Sequence, residues 1–219
     1  MPTSVAFLHT SPVHIATFSA LLGSIEPTVE AEHLVDESLL KDARALGVTH
    51  PDVVKRVRQA MHRAAATGAT IVVCTCSTIG GVAEDTPTAG KFVASRIDRA
   101  MADRAATLGP VVLVVAALQS TLQPTVDLLS SSANRLNRSI EIRPMLVEHA
   151  WKHFEQGDTA KYIEAVVAGV RGSLPGPNVV VLAQASMARA SVLLQDVGLE
   201  VLSSPELGIR AALERLRIK

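Results

Sequence analysis

The 219-residue sequence predicts an α/β protein of two pseudo-symmetric domains, each a four-stranded parallel sheet flanked by helices. Three observations lead there. Strand-like and helix-like segments alternate from end to end, the pattern of parallel strands joined by right-handed crossovers. The runs at 5–9, 70–76, 111–118 and 179–183 are almost wholly apolar, as strands covered on both faces require. The order of features then restarts: Cys76 and Gln184 stand 108 residues apart, Val93 and Val201 also 108, and Ser11 and Thr121 110. Any regular α/β chain shows some accidental near-periods, but here a hydroxyl follows the strand at two places in each half. The expected domains are 1–98 with a C-terminal helix 207–219, and 99–206.

Each element has a local reason. Residues 5–9 form a buried strand, and Thr10-Ser11-Pro12 supplies a hydroxyl cap and a proline for the first turn of a helix. Ile15, Phe18, Leu21 and Leu22 give that helix its apolar stripe. Residues 28–35 alternate and read as a less buried strand. Asp36-Glu37-Ser38 opens a helical stretch, and Pro51 opens a longer helix with Val53, Val54, Val57, Met61 and Ala64 on one face. Gly68 ends it, and the strand to Cys76 follows. Residues 92–97 are a weaker strand, and 99–108 a helix stopped by Gly109-Pro110. The second series has strands at 111–118, 140–147, 179–183 and 200–203. Its helices run from Gln119 to Asn137, over 151–172 and over 187–197, with a last helix from Leu207.

Composition narrows the function. Equal numbers of basic and acidic residues, 21 each, and 3% aromatics argue against a nucleic-acid partner. No basic cluster suggests a membrane surface, and no apolar run is long enough to span one. The opening Met1-Pro2-Thr3-Ser4-Val5 lacks a signal-peptide pattern. Cys74 and Cys76, two apart on an extended run, are poorly placed to bridge and read as free thiols. A cytoplasmic protein is expected. The histidines have no partners at metal-ligand spacing, and no Gly-x-Gly-x-x-Gly run marks a dinucleotide, so neither metal nor cofactor is expected.

Four strand-to-helix turns stand out: Thr10-Ser11, Cys76-Ser77-Thr78, Ser120-Thr121 and Gln184-Ala185-Ser186. Ligands of open parallel sheets bind at the carboxyl ends of strands. Two such halves would bring these turns to an interdomain cleft, where helix N-termini favour a carboxylate. A thiol at Cys76 is placed to move a proton or attack carbon; the other reading is a buried structural thiol. Cys74 reads as core. The hydroxyls of Ser11, Ser77, Thr78 and Thr121 either hold carboxylate oxygens or cap helices. Gln184 either donates to a substrate oxygen or has no role, and His14 is either a base or inert.

These residues resemble the aspartate/glutamate racemase superfamily, with its hydantoin racemases, maleate isomerases and arylmalonate decarboxylases. Cys76-Ser77-Thr78 resembles the family's Cys-Asn-Thr, and Leu182-Ala183-Gln184-Ala185-Ser186-Met187-Ala188 its Leu-Gly-Cys-Ala-Gly-Met-Ala. Ser120-Thr121 stands where relatives bind a carboxylate. The resemblance implies cofactor-independent chemistry at the carbon next to the carboxylate of a small acid, and a homodimer. Relatives use two thiols; here Gln184 replaces the second, and an amide carries no proton at neutral pH. Thr10 also stands where glutamate racemases have an aspartate. The expectation is one-base chemistry through Cys76, with Thr10, Ser11, Ser77, Thr78, Ser120, Thr121, Gln184, Ala185 and Ser186 around the substrate. The alternatives are a decarboxylase or cis–trans isomerase of the same superfamily, or a non-catalytic small-acid binding protein.

Overall fold

The computed structural model describes residues 4–217. Residues 1–3, where the leader reading began, and 218–219, the end of the last expected helix, lie outside it. The first series comprises β1 (Ser4–His9), α1 (His14–Ile25), β2 (Glu30–Val35), α2 (Glu37–Leu46), α3 (Pro51–Ala65), β3 (Ile71–Cys74), the short α4 (Gly80–Glu84) and β4 (Val93–Arg96). Its strands pair in parallel in the order β2-β1-β3-β4. The second comprises α5 (Arg99–Leu108), β5 (Val111–Ala116), α6 (Gln119–Arg135), β6 (Glu141–Leu146), α7 (Glu148–Glu155), α8 (Thr159–Gly172), β7 (Val179–Leu182), α9 (Ala188–Leu193) and β8 (Glu200–Ser203). Its sheet repeats the order as β6-β5-β7-β8, and α10 (Ser204–Arg217) follows. The chain divides into two compact units: one runs to Asp98 and resumes at Pro205, the other spans Arg99–Ser204. The changeover falls two residues before the expected 206.

Strand composition follows position in each sheet. The inner β3 (Ile-Val-Val-Cys) and β7 (Val-Val-Val-Leu) are buried at every residue. The edge strands β2 and β6 are exposed in their first halves, and β6 accepts Pro144 because an edge tolerates a missing ladder donor. In the first unit Leu8, Val72 and Cys74 pack on Leu39, Val57 and Met61 of α2 and α3. In the second, Val115, Val180 and Leu182 pack on Tyr162, Val166 and Met187. Each such side chain, fully buried, contributes about 1.5–3 kcal/mol.

Register makes the internal repeat concrete. Leu8 pairs with Cys74 in one sheet, and Val115 with Leu182 in the other. Counting outward, Cys76 matches Gln184, as the sequence spacing indicated. Ser11 matches Leu118, however, and Thr121 matches His14. The 110-residue spacing of Ser11 and Thr121 is therefore not a structural equivalence.

Several boundaries differ from expectation for identifiable reasons. The helix expected over 151–172 is two helices, broken where Gly157 takes φ +75° and the Asp158 side chain accepts the Lys161 N–H at 3.1 Å. Helix α1 starts at His14 with Val13 as its cap residue, so Ser11 and Pro12 lie in a turn before it. The strand expected over 28–35 begins at Glu30. The helix expected over 187–197 is α9 between two 3-10 turns.

Helix α10 returns to the first unit. A Cβ on Gly208 would lie 2.1 Å from the Ile97 carbonyl oxygen, so only glycine lets the helix seat there. Arg215 reaches Ser95 at 3.3 Å and Arg217 reaches Glu26 at 2.8 Å. Among the described residues, no helix is long and apolar enough to cross a membrane.

Candidate functional site

The sequence-predicted residues gather at two strand crests, the C-terminal ends of the central strands of each unit. In the first unit β1 and β3 are neighbours, so Thr10 and Ser11 end one strand beside Cys76, Ser77 and Thr78 ending the other. Strand β3 stops at Cys74, and Thr75 and Cys76 lie beyond it. Both cysteines are free: Cys74 is buried, Cys76 partly exposed and packed on the edge of the core. The Cys74 Sγ lies 3.6 Å from the Cys76 carbonyl oxygen. Burial pushes the Cys74 thiol well above its usual range, and the neighbouring Cys76 adds to this. Of the two cysteines, Cys76 is the less buried.

Thr10, Ser77 and Thr78 are buried and Ser11 is half-buried. None of them caps a long helix. The element after Cys76 is the five-residue α4, whose cap residue is Ile79. At this crest α1 begins at His14, three residues past Ser11, and only a short helical turn follows Cys76.

Beneath the Cys76–Ser77 turn lies a charged pair that sequence reading missed. Arg96, at the end of β4, bonds Asp98 through Nε–Oδ1 at 2.6 Å and Nη2–Oδ2 at 3.0 Å. Arg96 is 5% exposed and Asp98 fully buried. The guanidinium also donates to the Ser77 carbonyl oxygen at 3.3 Å. Gly80 packs against it: a Cβ there would lie 2.9 Å from Nε.

A second missed feature is a chain of hydrogen bonds on the α1 side of the sheet. Thr75 Oγ1 lies 3.2 Å from the Leu8 carbonyl oxygen and 2.9 Å from His9 Nδ1. His9 Nε2 lies 2.8 Å from His33 Nδ1, and His33 Nε2 2.9 Å from Ser19 Oγ. The two rings are nearly coplanar, 14° apart, which suits an in-plane N–H···N bond. Neutral rings satisfy every member when Thr75 donates to Leu8, His9 Nδ1–H to Thr75, His33 Nδ1–H to His9, and Ser19 to His33. Burial, with His33 and His14 nearby, pushes His9 down to about 3, and burial also lowers His33 and His14. His9 and His33 are 24 residues apart, so no sequence spacing could have joined them. The signal available was His33 itself, facing inward on an edge strand.

The second crest is built differently. Gln184 turns its side-chain oxygen onto the Ala117 N–H at 2.6 Å, tying the end of β7 to the end of β5. Ser186 shares a 2.8 Å hydrogen bond with Tyr162, whose hydroxyl is pushed above its usual range by burial. Ala185 begins a 3-10 turn. Ser120 and Thr121 lie inside the first turn of α6, whose cap residue is Leu118, so neither is a cap. Thr121 is buried, and the Ser120 hydroxyl is buried without a hydrogen-bond partner among the described residues. Gln184 thus has a structural use that the sequence did not suggest.

Asp36, beyond β2, pairs with Arg63 at 2.9 Å. Among the described residues no group of three His, Cys, Asp or Glu side chains is placed to hold a metal ion. A groove of about 670 Å³ between α8 and α9, lined by Ile163, Glu164, Arg189 and Leu193 among others, contains none of the predicted site residues.

No family model matches the sequence, and no curated protein matches it. Solved structures match its fold along nearly its whole length. An aspartate racemase from Picrophilus torridus superposes with a TM-score of 0.73 at 14% identity, over 98% of this chain and 94% of that one. An allantoin racemase from Pseudomonas fluorescens gives 0.68 at 19% identity, over 99% and 92%. A glutamate racemase from Francisella tularensis, in complex with D-glutamate, gives 0.72 at 15% identity, over 99% and 82%. At such identities the likeness is one of fold. With its paired four-stranded parallel sheets and repeated strand order, the chain has the fold of the aspartate/glutamate racemase superfamily.

Proposed function

We propose that this protein is a cofactor-independent enzyme that moves a proton at the carbon next to the carboxylate of a small acid, with Cys76 as its one proton-transfer group. The observation that carries the reading is the asymmetry of the crests. A partly buried cysteine stands beyond β3, while the matched position beyond β7 holds Gln184, which cannot ionise and whose oxygen is already bonded. The similar structures named above are racemases, and racemisation begins by removing a proton from one carbon.

In this reading Cys76 as thiolate takes the proton, and Ser77, Thr78, Thr10 and Ser11 hold the acid's oxygens as charge builds on them. Returned by the same thiol to the same face, the proton restores the starting configuration. A second reading draws on the same single thiol. Decarboxylation needs one proton donor for the carbanion left when carbon dioxide departs, and cis–trans isomerisation needs one thiolate that adds to the double bond and leaves again after rotation.

The test is NMR in deuterated buffer with a panel of small mono- and dicarboxylic acids. Deuterium entering one carbon without inversion is the expected result. Loss of carbon dioxide with one deuterium incorporated selects the decarboxylase. Cys76→Ala should slow the reaction about 10²–10⁴-fold, the usual contribution of a positioned acid–base group. Wild-type rates in that variant sink the reading. An inert wild-type protein that still binds an acid leaves a binding protein.

A further inference from the structure

The Arg96–Asp98 pair has no evident use in stability. Removing two charges from water costs more than their attraction returns unless the geometry is excellent, and apolar replacements commonly serve as well. Yet the pair is buried, bidentate and placed under one particular turn. Its guanidinium holds the Ser77 carbonyl, the residue next to Cys76. Gly80, just beyond, gives it room, whereas a Cβ on Gly81 would stand at an ordinary contact distance of 3.5 Å from Nη1. The Ile97 N–H bonds the Cys74 carbonyl at 3.0 Å, joining the same segment to the last residue of β3, two before Cys76. The second unit offers an internal control. Arg96 pairs with Cys74 across its sheet, and the matched position opposite Leu182 is Ser203. The crest that lacks a thiol also lacks the cation.

We propose that Arg96, clamped by Asp98, is a positioning residue for Cys76, fixing the turn that carries the thiol and holding a buried ion pair beneath it. The inference rests on the reading of Cys76 as the reactive thiol. The two charges act on a nearby sulfur in opposite directions. A guanidinium favours a thiolate and a carboxylate opposes it.

The test is the rate of Cys76 alkylation by iodoacetamide at neutral pH in the full-length protein, with Cys76→Ala as the blank because Cys74 is buried. Arg96→Gln should slow alkylation about tenfold, and Asp98→Asn should speed it about tenfold. Simple loosening of the turn would move both variants the same way. Shifts of the same sign, or none, overturn the proposal. Should either variant fail to fold, Gly80→Ala keeps both charges but forces the guanidinium aside. It should change the rate by at least about threefold, and an unchanged rate overturns the proposal. Alkylation reads the thiol and not turnover. Opposite shifts in a protein inert toward every acid would leave Arg96 in this role while removing the proposed reaction.

Discussion

Beyond β3 the Thr75 N–H bonds the Leu8 carbonyl at 3.0 Å; beyond β7 the Ala183 N–H bonds the Val115 carbonyl at 2.9 Å. From that shared backbone the two crests diverge in every side chain that matters. The first continues into a thiol over a buried ion pair, with histidines bonded behind it. The second continues into an amide and a hydroxyl bonded to their own sheet and helix. The second crest is held by neutral side-chain bonds; the first adds a buried ion pair and a bonded pair of histidines to the same task.

Three experiments bear on this contrast. The largest effect expected is acid-induced. His9 is neutral in the folded protein with its pKa pushed from 6.5 to about 3. Above pH 6.5 the folded and unfolded states bind equal numbers of protons at this ring. As the pH falls from 6.5 toward 3 the unfolded ring takes a proton the folded one refuses, and stability is lost. The full interval corresponds to roughly 5 kcal/mol. Amide hydrogen exchange should show protection at Thr75 falling over this range while Ala183 keeps its own; parallel loss at both would erase the contrast. Next, Gln184→Ala leaves the buried Ala117 N–H without its partner and should cost about 1–3 kcal/mol in urea unfolding. A neutral result would mean that water serves the second crest equally well. Smallest, Tyr162→Phe removes one hydrogen bond to Ser186 and should cost about 0.5–1.5 kcal/mol. A larger loss would show the second crest to be as finely held as the first.

Much of the scaffold was legible because its signals are local. Helix α5 and strand β8 have the expected bounds, since Gly109-Pro110 stops one and a short isolated apolar run defines the other. The crest position of Cys76 followed from an apolar run breaking into Thr75, Ser77 and Thr78. What stayed hidden depends on register. His9 meets His33 only because β1 lies beside β2, and Arg96 reaches Ser77 only because β4 lies beside β3. The bond from the Ala117 N–H to Gln184 was hidden because only the pairing of β5 with β7 brings the two together. The break between α7 and α8 was available in Gly157-Asp158, but the apolar spacing runs on across it.

The glycine that seats α10 on the Ile97 carbonyl has a consequence for biosynthesis. Because that helix belongs to the unit that starts the chain, the ribosome must make the whole intervening unit before its host is complete. The inserted unit, contiguous in sequence, is thus the first able to fold entirely, while the Cys76 lobe waits for its final helix. A bulky residue at Gly208 would leave that earlier-started lobe unfinished, exposed to chaperones and proteases, while the inserted unit has already folded.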